Sequence, residues 1–359
     1  MTFVRDVRQF LNRETKWSVL FLFLLTFYAV SLYWPGENVE THESPVLQEL
    51  RQAENLLKNE IQNAGGLQKY LKENPRLLAA INVFSIVLLT LFIYGIFVNL
   101  MWFFRRDWRE GIRLGTGPPE ALHWGLGTVF KVALLFITMA FGTGFLLSLV
   151  KHYLLKEAGG NFFSLVHTTI SDFMVIALVV YFIGRRGGSW RELGFKRAPF
   201  WEDLKIGLAG YAGILPVFAL VLIAVALGAY VFTYEPPPHP LVEIFLEEEK
   251  RSPLLIVYSL FLACVVGPVL EEIFFRGFCY PALKKRWGTG WGLVLSAAFF
   301  ALIHASLFAF LPIFVLGFGL AYLYEKRGSL VSSIVLHVVH NAVFITYFFL
   351  AKSLITSNP

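Results

Sequence analysis

Runs of about twenty apolar residues, separated by short clusters of arginine and lysine, recur along most of this 359-residue chain. Nothing constrains the fold more. In hydrocarbon no water is present to satisfy the backbone, so each run must close its own N–H and C=O groups as a helix. The runs lie near 17–34, 79–104, 127–150, 162–184, 204–232, 253–280, 289–308, 312–324 and 328–350, the eighth being the shortest. The expected architecture is an all-α polytopic transmembrane helix bundle of about 8–9 spans. Composition agrees: 56% of residues are hydrophobic and 16% charged, against roughly 25% charged in soluble domains. Mean hydropathy is +0.61, so the length is read as one bundle rather than two soluble domains.

The basic residues orient the bundle. With the N-terminus inside, the inner segments (1–16, 105–126, 185–203, the turn after 280, and 325–327) carry 18 Lys and Arg, against 10 in the outer ones. The positive-inside rule then places the C-terminus outside, and removing the eighth span would invert that end. The first run follows Arg5, Arg8, Arg13 and Lys16 and has no small-residue cleavage site behind it, so it reads as an uncleaved anchor. Cys264 and Cys279 lie in or beside a predicted span and make neither a disulfide framework nor a metal knuckle.

Residues 35–78 are the one sizeable extramembrane piece. "SPVLQELRQAENLLKNEIQ" opens on a Ser-Pro helix start and repeats Leu47, Leu50, Leu57 and Ile61 on one face. Gly65 and Gly66 break it, and "LQKYLKENP" follows as a second short helix. The segment is expected to lie on the outer leaflet as an amphipathic helix, with a docking lid as the alternative. "YEPPPHPLVEIFLEEEK" reads as a stiff connector carrying a short helix.

Four stretches place ionisable or hydrogen-bonding groups inside spans: "LEEIFFRG", "FFALIHASLF", "VLHVVHNAVF" and "VHTTISDFMV". Such groups cost several kcal/mol each by the lower estimates and need a reason. Glu272 and Arg276 are spaced i,i+4, so on an α-helix they share a face and can pair; Glu271 lies about 100° around and is left over. His337 and Asn341 repeat that spacing, as do Phe300 and His304, while His340 points elsewhere. Counting about 1.5 Å per residue from the inner surface puts Glu271, His304 and Asn341 roughly 20 Å deep and His337 roughly 15 Å. Three separate helices thus bring polar groups to one level. His167 and Asp172 have no counterpart elsewhere and read as a polar helix contact; Lys131 and Lys205 read as snorkelling at span ends.

A carboxylate and an imidazole can hold and activate a water. Attack on a peptide carbonyl needs donors for the oxyanion, which His337 and the Asn341 amide could provide from one face. No serine or cysteine has an evident partnered base; Ser306 is near His304, but i,i+2 turns it away. The residues point to water-mediated peptide hydrolysis within the bilayer.

"EEIFFR", "FALIH" and "HVVHN" fit EExxxR, FxxxH and HxxxN, in that order. In these motifs the chain resembles the CPBP family, the type II CAAX prenyl proteases and bacteriocin-processing enzymes also called Abi. The resemblance covers about residues 185–350 and extends to "WRELGFKR" and "LYEKRGSLVSSIVLH". It implies a glutamate-dependent intramembrane endopeptidase. By motif position Glu271 would be the general base and His304 would help hold the water. His337 and Asn341 would form the oxyanion hole, with Glu272 and Arg276 in support. The organisation it suggests is an anchor span (1–34), the amphipathic segment (35–78), additional spans (79–184), a catalytic membrane domain (185–350) and a tail (351–359).

Expected partners are the lipid bilayer and a membrane protein or peptide substrate, with no nucleic acid. No cofactor is expected. The alternative is a zinc protease in which Glu271, His304 and His337 ligate the metal and Glu272 is the base. A non-catalytic immunity or scaffold protein is the reading from another class. The family's spread suggests a bacterial cytoplasmic membrane.

Overall fold

The computed structural model describes residues 15–33, 66–105, 122–155, 159–195, 200–234, 242, 244, 245, 248 and 252–356. The basic stretch 1–14, the first amphipathic helix expected within 35–65, most of the 235–251 connector and the last residues of the tail lie outside the described residues. Among the described residues every regular element is helical, and seven helices are long and apolar enough to cross a membrane. The protein is an integral, multi-pass helical bundle.

The order begins with α1 (Thr15–Tyr33), a short α2 (Gly66–Glu73) and α3 (Pro75–Phe104). Next come α4 (Leu126–Tyr153), α5 (Gly160–Gly184), a 3₁₀ turn (Trp190–Leu193) and α6 (Phe200–Val231). A run of α7 (Pro253–Phe261), a π turn (Leu262–Val266), α8 (Gly267–Glu272), a second π turn (Ile273–Cys279) and α9 (Tyr280–Leu302) follows, before α10 (Leu307–Arg327) and α11 (Leu330–Thr356).

The spans expected at 253–280 and 289–308 are one helical run, Pro253–Leu302, of 50 residues. Unbroken, it would reach ~75 Å, more than twice a ~30 Å hydrocarbon core. Gly288 interrupts it with φ 81, a left-handed conformation that glycine adopts without steric cost. The expected short span at 312–324 is a full helix of 21 residues. Its start lies not at Pro312 but at Ser306, whose Oγ accepts from Ala309 N at 3.2 Å as an N-cap. Gly328, at φ 65, closes its other end by donating to the Tyr324 carbonyl at 2.7 Å.

The chain forms two compact units, each built from separate stretches: residues 1–42, 119–193 and 273–292 in the first, and 43–118, 194–272 and 293–359 in the second. In the first, α4 and α5 are joined where His167 Nε2 donates to the Ala140 carbonyl at 3.0 Å, the polar helix contact expected of that residue. The Lys131 ammonium lies 5.5 Å from the Trp17 ring centroid, a cation–π contact rather than simple snorkelling. The second π turn belongs to this unit. Trp124 stacks on Phe278 at 5.7 Å, and its Nε1 donates to the Phe278 carbonyl at 3.0 Å.

In the second unit α6 is the central element. Pro216 lies inside it and removes the N–H that the Ala212 carbonyl would otherwise accept. At that level α3 carries Gly95, where any Cβ would collide with the Ala212 carbonyl, so the two backbones touch. Asn99 Nδ2 completes the seam by donating to Gly213 O at 2.7 Å and to Gly95 O at 2.8 Å. Gly207 plays the same part toward α11: a Cβ there would lie 2.6 Å from Val335 Cβ. At the start of α6 the buried Asp203 accepts from Arg327 Nε at 2.5 Å and from Ser329 Oγ at 2.6 Å, tying the ends of α6, α10 and α11 together.

Candidate active site

The site begins with a proline. Pro268 has no N–H, and it follows a turn in which Gly267 N donates to Leu262 O, five residues back. The next donor in that π pattern would be residue 268, bonded to the Ala263 carbonyl. Proline cannot supply it. Asn341, on α11, does so instead: its Nδ2 donates to Ala263 O at 2.8 Å. This bond docks α11 against the turn immediately before the two glutamates.

One turn earlier on α11, His337 meets both glutamates. Its Nδ1 is 3.0 Å from Glu272 Oε1 and its Nε2 is 3.7 Å from Glu271 Oε2. His337 and Glu272 are enclosed, while the Glu271 side chain is 34% exposed and so is the member open to a ligand. A carboxylate accepts, so Nδ1 is the donor toward Glu272, and Nε2 is the nitrogen turned toward Glu271. At 3.7 Å that second pair is too long for a direct hydrogen bond.

His304 lies just past the end of α9. Its Nδ1 donates to the Phe300 carbonyl at 2.8 Å, which leaves Nε2 as an acceptor on an exposed ring. The fully buried Phe300 ring is edge-on to both imidazoles, 5.0 Å from His304 and 5.7 Å from His337. It is the ring that both imidazoles touch.

Of the six predicted residues, Glu271, Glu272 and His337 are in one row and Asn341 is a turn away on the same helix. His304 is joined to them through Phe300. Arg276 falls in the first unit, fully buried in the second π turn, its guanidinium carbon 5.8 Å from the Phe275 ring centroid. The π turn that holds it begins at Ile273. The donors expected to be free for an oxyanion are partly engaged: both His337 nitrogens face carboxylates, and one Asn341 N–H is on Ala263. Ser306 is an N-cap, and both cysteines are free thiols.

Among the described residues no group of three or more His, Cys, Asp or Glu is disposed to hold a metal ion. Of the alternative zinc set, Glu271 and His337 approach each other at 3.7 Å, and His304 and His337 each meet the Phe300 ring edge-on. The unpredicted members of the site are Pro268 and the Ala263 carbonyl, and of these Pro268 carried a sequence signal, a proline deep in an apolar run just ahead of two acids.

Residues 253–343 match the family model described as type II CAAX prenyl endopeptidase Rce1-like. "UPF0177 protein YaiF" of Lactococcus lactis is 24% identical over 205 residues, covering 53% of this chain and 86% of its own length. "Putative membrane peptidase YdiL" of Bacillus subtilis is 31% identical over 99 residues, 28% of this chain and 39% of that protein. No solved structure matches significantly.

Proposed function

From the premise that this membrane protein carries a domain of the Rce1-like, type II CAAX prenyl endopeptidase kind over residues 253–343, we propose that it hydrolyses peptide bonds of membrane-associated substrates by a glutamate-activated water. The observation that carries the reading is the row Glu271–His337–Glu272, with its outer carboxylate accessible and its imidazole enclosed. Two carboxylates and a histidine in an apolar span are costly as mere structure, and their order suits proton transfer.

Glu271 is the general base. It takes a proton from water as the water oxygen bonds to the carbonyl carbon, and the π electrons of the carbonyl move onto its oxygen. The proton is shared with Nε2 of His337, and the resulting imidazolium is balanced by Glu272 on Nδ1. In that state Nε2–H is a donor, and with the second Asn341 N–H it stabilises the oxyanion. Collapse of the tetrahedral intermediate breaks the C–N bond, and the stored proton leaves on the amine. His304 offers Nε2 as an acceptor to the incoming water or substrate. The proposed location is a bacterial cytoplasmic membrane, and a prenyl group on the substrate is not required by the site.

The test is Glu271→Gln, which keeps the shape and removes the base. Purified in lipid, the variant is expected to lose about 10²–10⁴-fold in kcat on a membrane peptide substrate. A folded Glu271→Gln protein with full activity rejects the mechanism. Parent activity abolished by chelation and restored by zinc moves the reaction to the metal. A parent with no hydrolysis of any accumulated membrane peptide points to a non-catalytic role.

A further inference from the structure

His304 is followed by a residue in an uncommon backbone state. Ala305 has φ 48, and among the described residues Thr233 and Ala305 are the two non-glycine positions with positive φ. In that left-handed region a Cβ crowds the backbone, so helices that end in it commonly use glycine. The α10 helix does so, with Gly328 at φ 65. Just past the end of α9 an alanine bears the conformation instead. Strained residues of this kind persist where their surroundings hold them, and they gather at functional sites.

The consequence falls on His304. On a continued α-helix the His304 amide would donate to the Phe300 carbonyl, four residues back. As the chain enters the left-handed turn the last bonds tighten to three residues: His304 N donates to Ala301 O at 3.3 Å, and Ala305 N to Leu302 O at 3.1 Å. The imidazole of the same His304 then takes the Phe300 carbonyl, with Nδ1 donating at 2.8 Å. The far side of the turn is fastened by Ser306, whose Oγ accepts from Ala309 N at 3.2 Å to cap α10. We propose that Ala305 is a positioning residue: its left-handed turn diverts the His304 amide, gives the Phe300 carbonyl to Nδ1, and so fixes the tautomer whose Nε2 is a bare acceptor. A chain relaxed to right-handed helix at residue 305 would return the amide to that carbonyl and leave the ring free to turn and to exchange tautomers. The role rests on the proposed hydrolysis, in which Nε2 accepts from water or substrate, and Ala305 acts through that ring alone.

Proton–nitrogen NMR of the full chain, labelled at histidine and held in lipid nanodiscs, reads the tautomer directly, with the His304 signal assigned by its loss in His304→Gln. At a pH where the ring is neutral, the parent is expected to carry its proton on Nδ1. Ala305→Gly and Ala305→Asn, which enter a left-handed turn readily, are expected to keep that signature and a kcat within about twofold of the parent. Ala305→Val, whose branched side chain opposes positive φ, is expected to mix the tautomers and to lower kcat about tenfold with KM little changed. Ala305→Leu serves if the valine variant does not fold, with the same change expected in smaller degree. A parent ring protonated on Nε2 overturns the proposal. So does a valine or leucine variant that is less stable yet keeps the parent tautomer and kcat, since the turn would then be structural only. The expected tautomers in a protein that hydrolyses no peptide would uphold the positioning of the ring and reject the peptidase reading by itself.

Discussion

The bond from Asn341 to the Ala263 carbonyl makes a quantitative prediction, because its cause is a missing hydrogen at Pro268. Replacing Asn341 by Ala removes its 2.8 Å donation to that carbonyl and leaves an acceptor inside a span. An orphaned buried polar group costs about 1–3 kcal/mol. Hydrogen bonds between membrane helices average ~0.6 kcal/mol and reach ~1.7, since displaced groups usually find other partners. Here Pro268 denies the carbonyl its usual alternative, so a value near the upper end, ~1.5 kcal/mol, is expected. Pro268→Ala restores a backbone N–H within reach of Ala263 in π geometry, or of Cys264 if the turn relaxes to α. The double variant is therefore expected to be more stable than Asn341→Ala alone, with a coupling of about 1 kcal/mol. The assay is a double-mutant cycle on reversible unfolding in mixed micelles. Costs that add to within about 0.5 kcal/mol would refute the proposed link between the proline and the asparagine.

Glu272→Gln keeps an acceptor for His337 Nδ1 but removes the charge that balances the imidazolium. A charged hydrogen bond exceeds a neutral one by about 1–1.5 kcal/mol, so kcat is expected to fall about tenfold with KM little changed. Asp203→Asn weakens the contact to Arg327 and Ser329 at the junction of three helices. A thermal-unfolding loss of about 2–3 kcal/mol is expected, below the 3–5 of a wholly buried pair, since Arg327 keeps 14% exposure and its bond to Glu202. Gly95→Leu forces α3 off the Ala212 carbonyl and should destabilise the second unit by more than ~2 kcal/mol; unchanged unfolding would show that the helices do not meet there.

Much of the candidate site was legible because its residues repeat at helical spacing. His337 and Asn341 do share a face of α11, and Glu271 and Glu272 do diverge, because both pairs lie on regular helix. Arg276 was harder to place. The π turn beginning at Ile273 changes the angle per residue, and no alternation of apolar and polar residues announces it in so uniformly apolar a stretch. The span expected near 312–324 was drawn too short: Pro312 lies inside α10, since neighbouring helices tolerate one missing bond.

What the amino-acid order determined by itself is that the chain crosses a membrane repeatedly as helices, and which few side chains carry charge at depth. Apolar length and the cost of an unpaired backbone leave no other outcome. Only the tertiary structure decided what those side chains meet: that both nitrogens of His337 face carboxylates, that Asn341 serves a carbonyl orphaned by a proline, and that Phe300 touches both imidazoles. Those facts depend on ångström-scale approach and rotation of separate helices, set by where Gly95, Gly207 and Pro216 let backbones touch. Spacing along one helix carries no information about that approach.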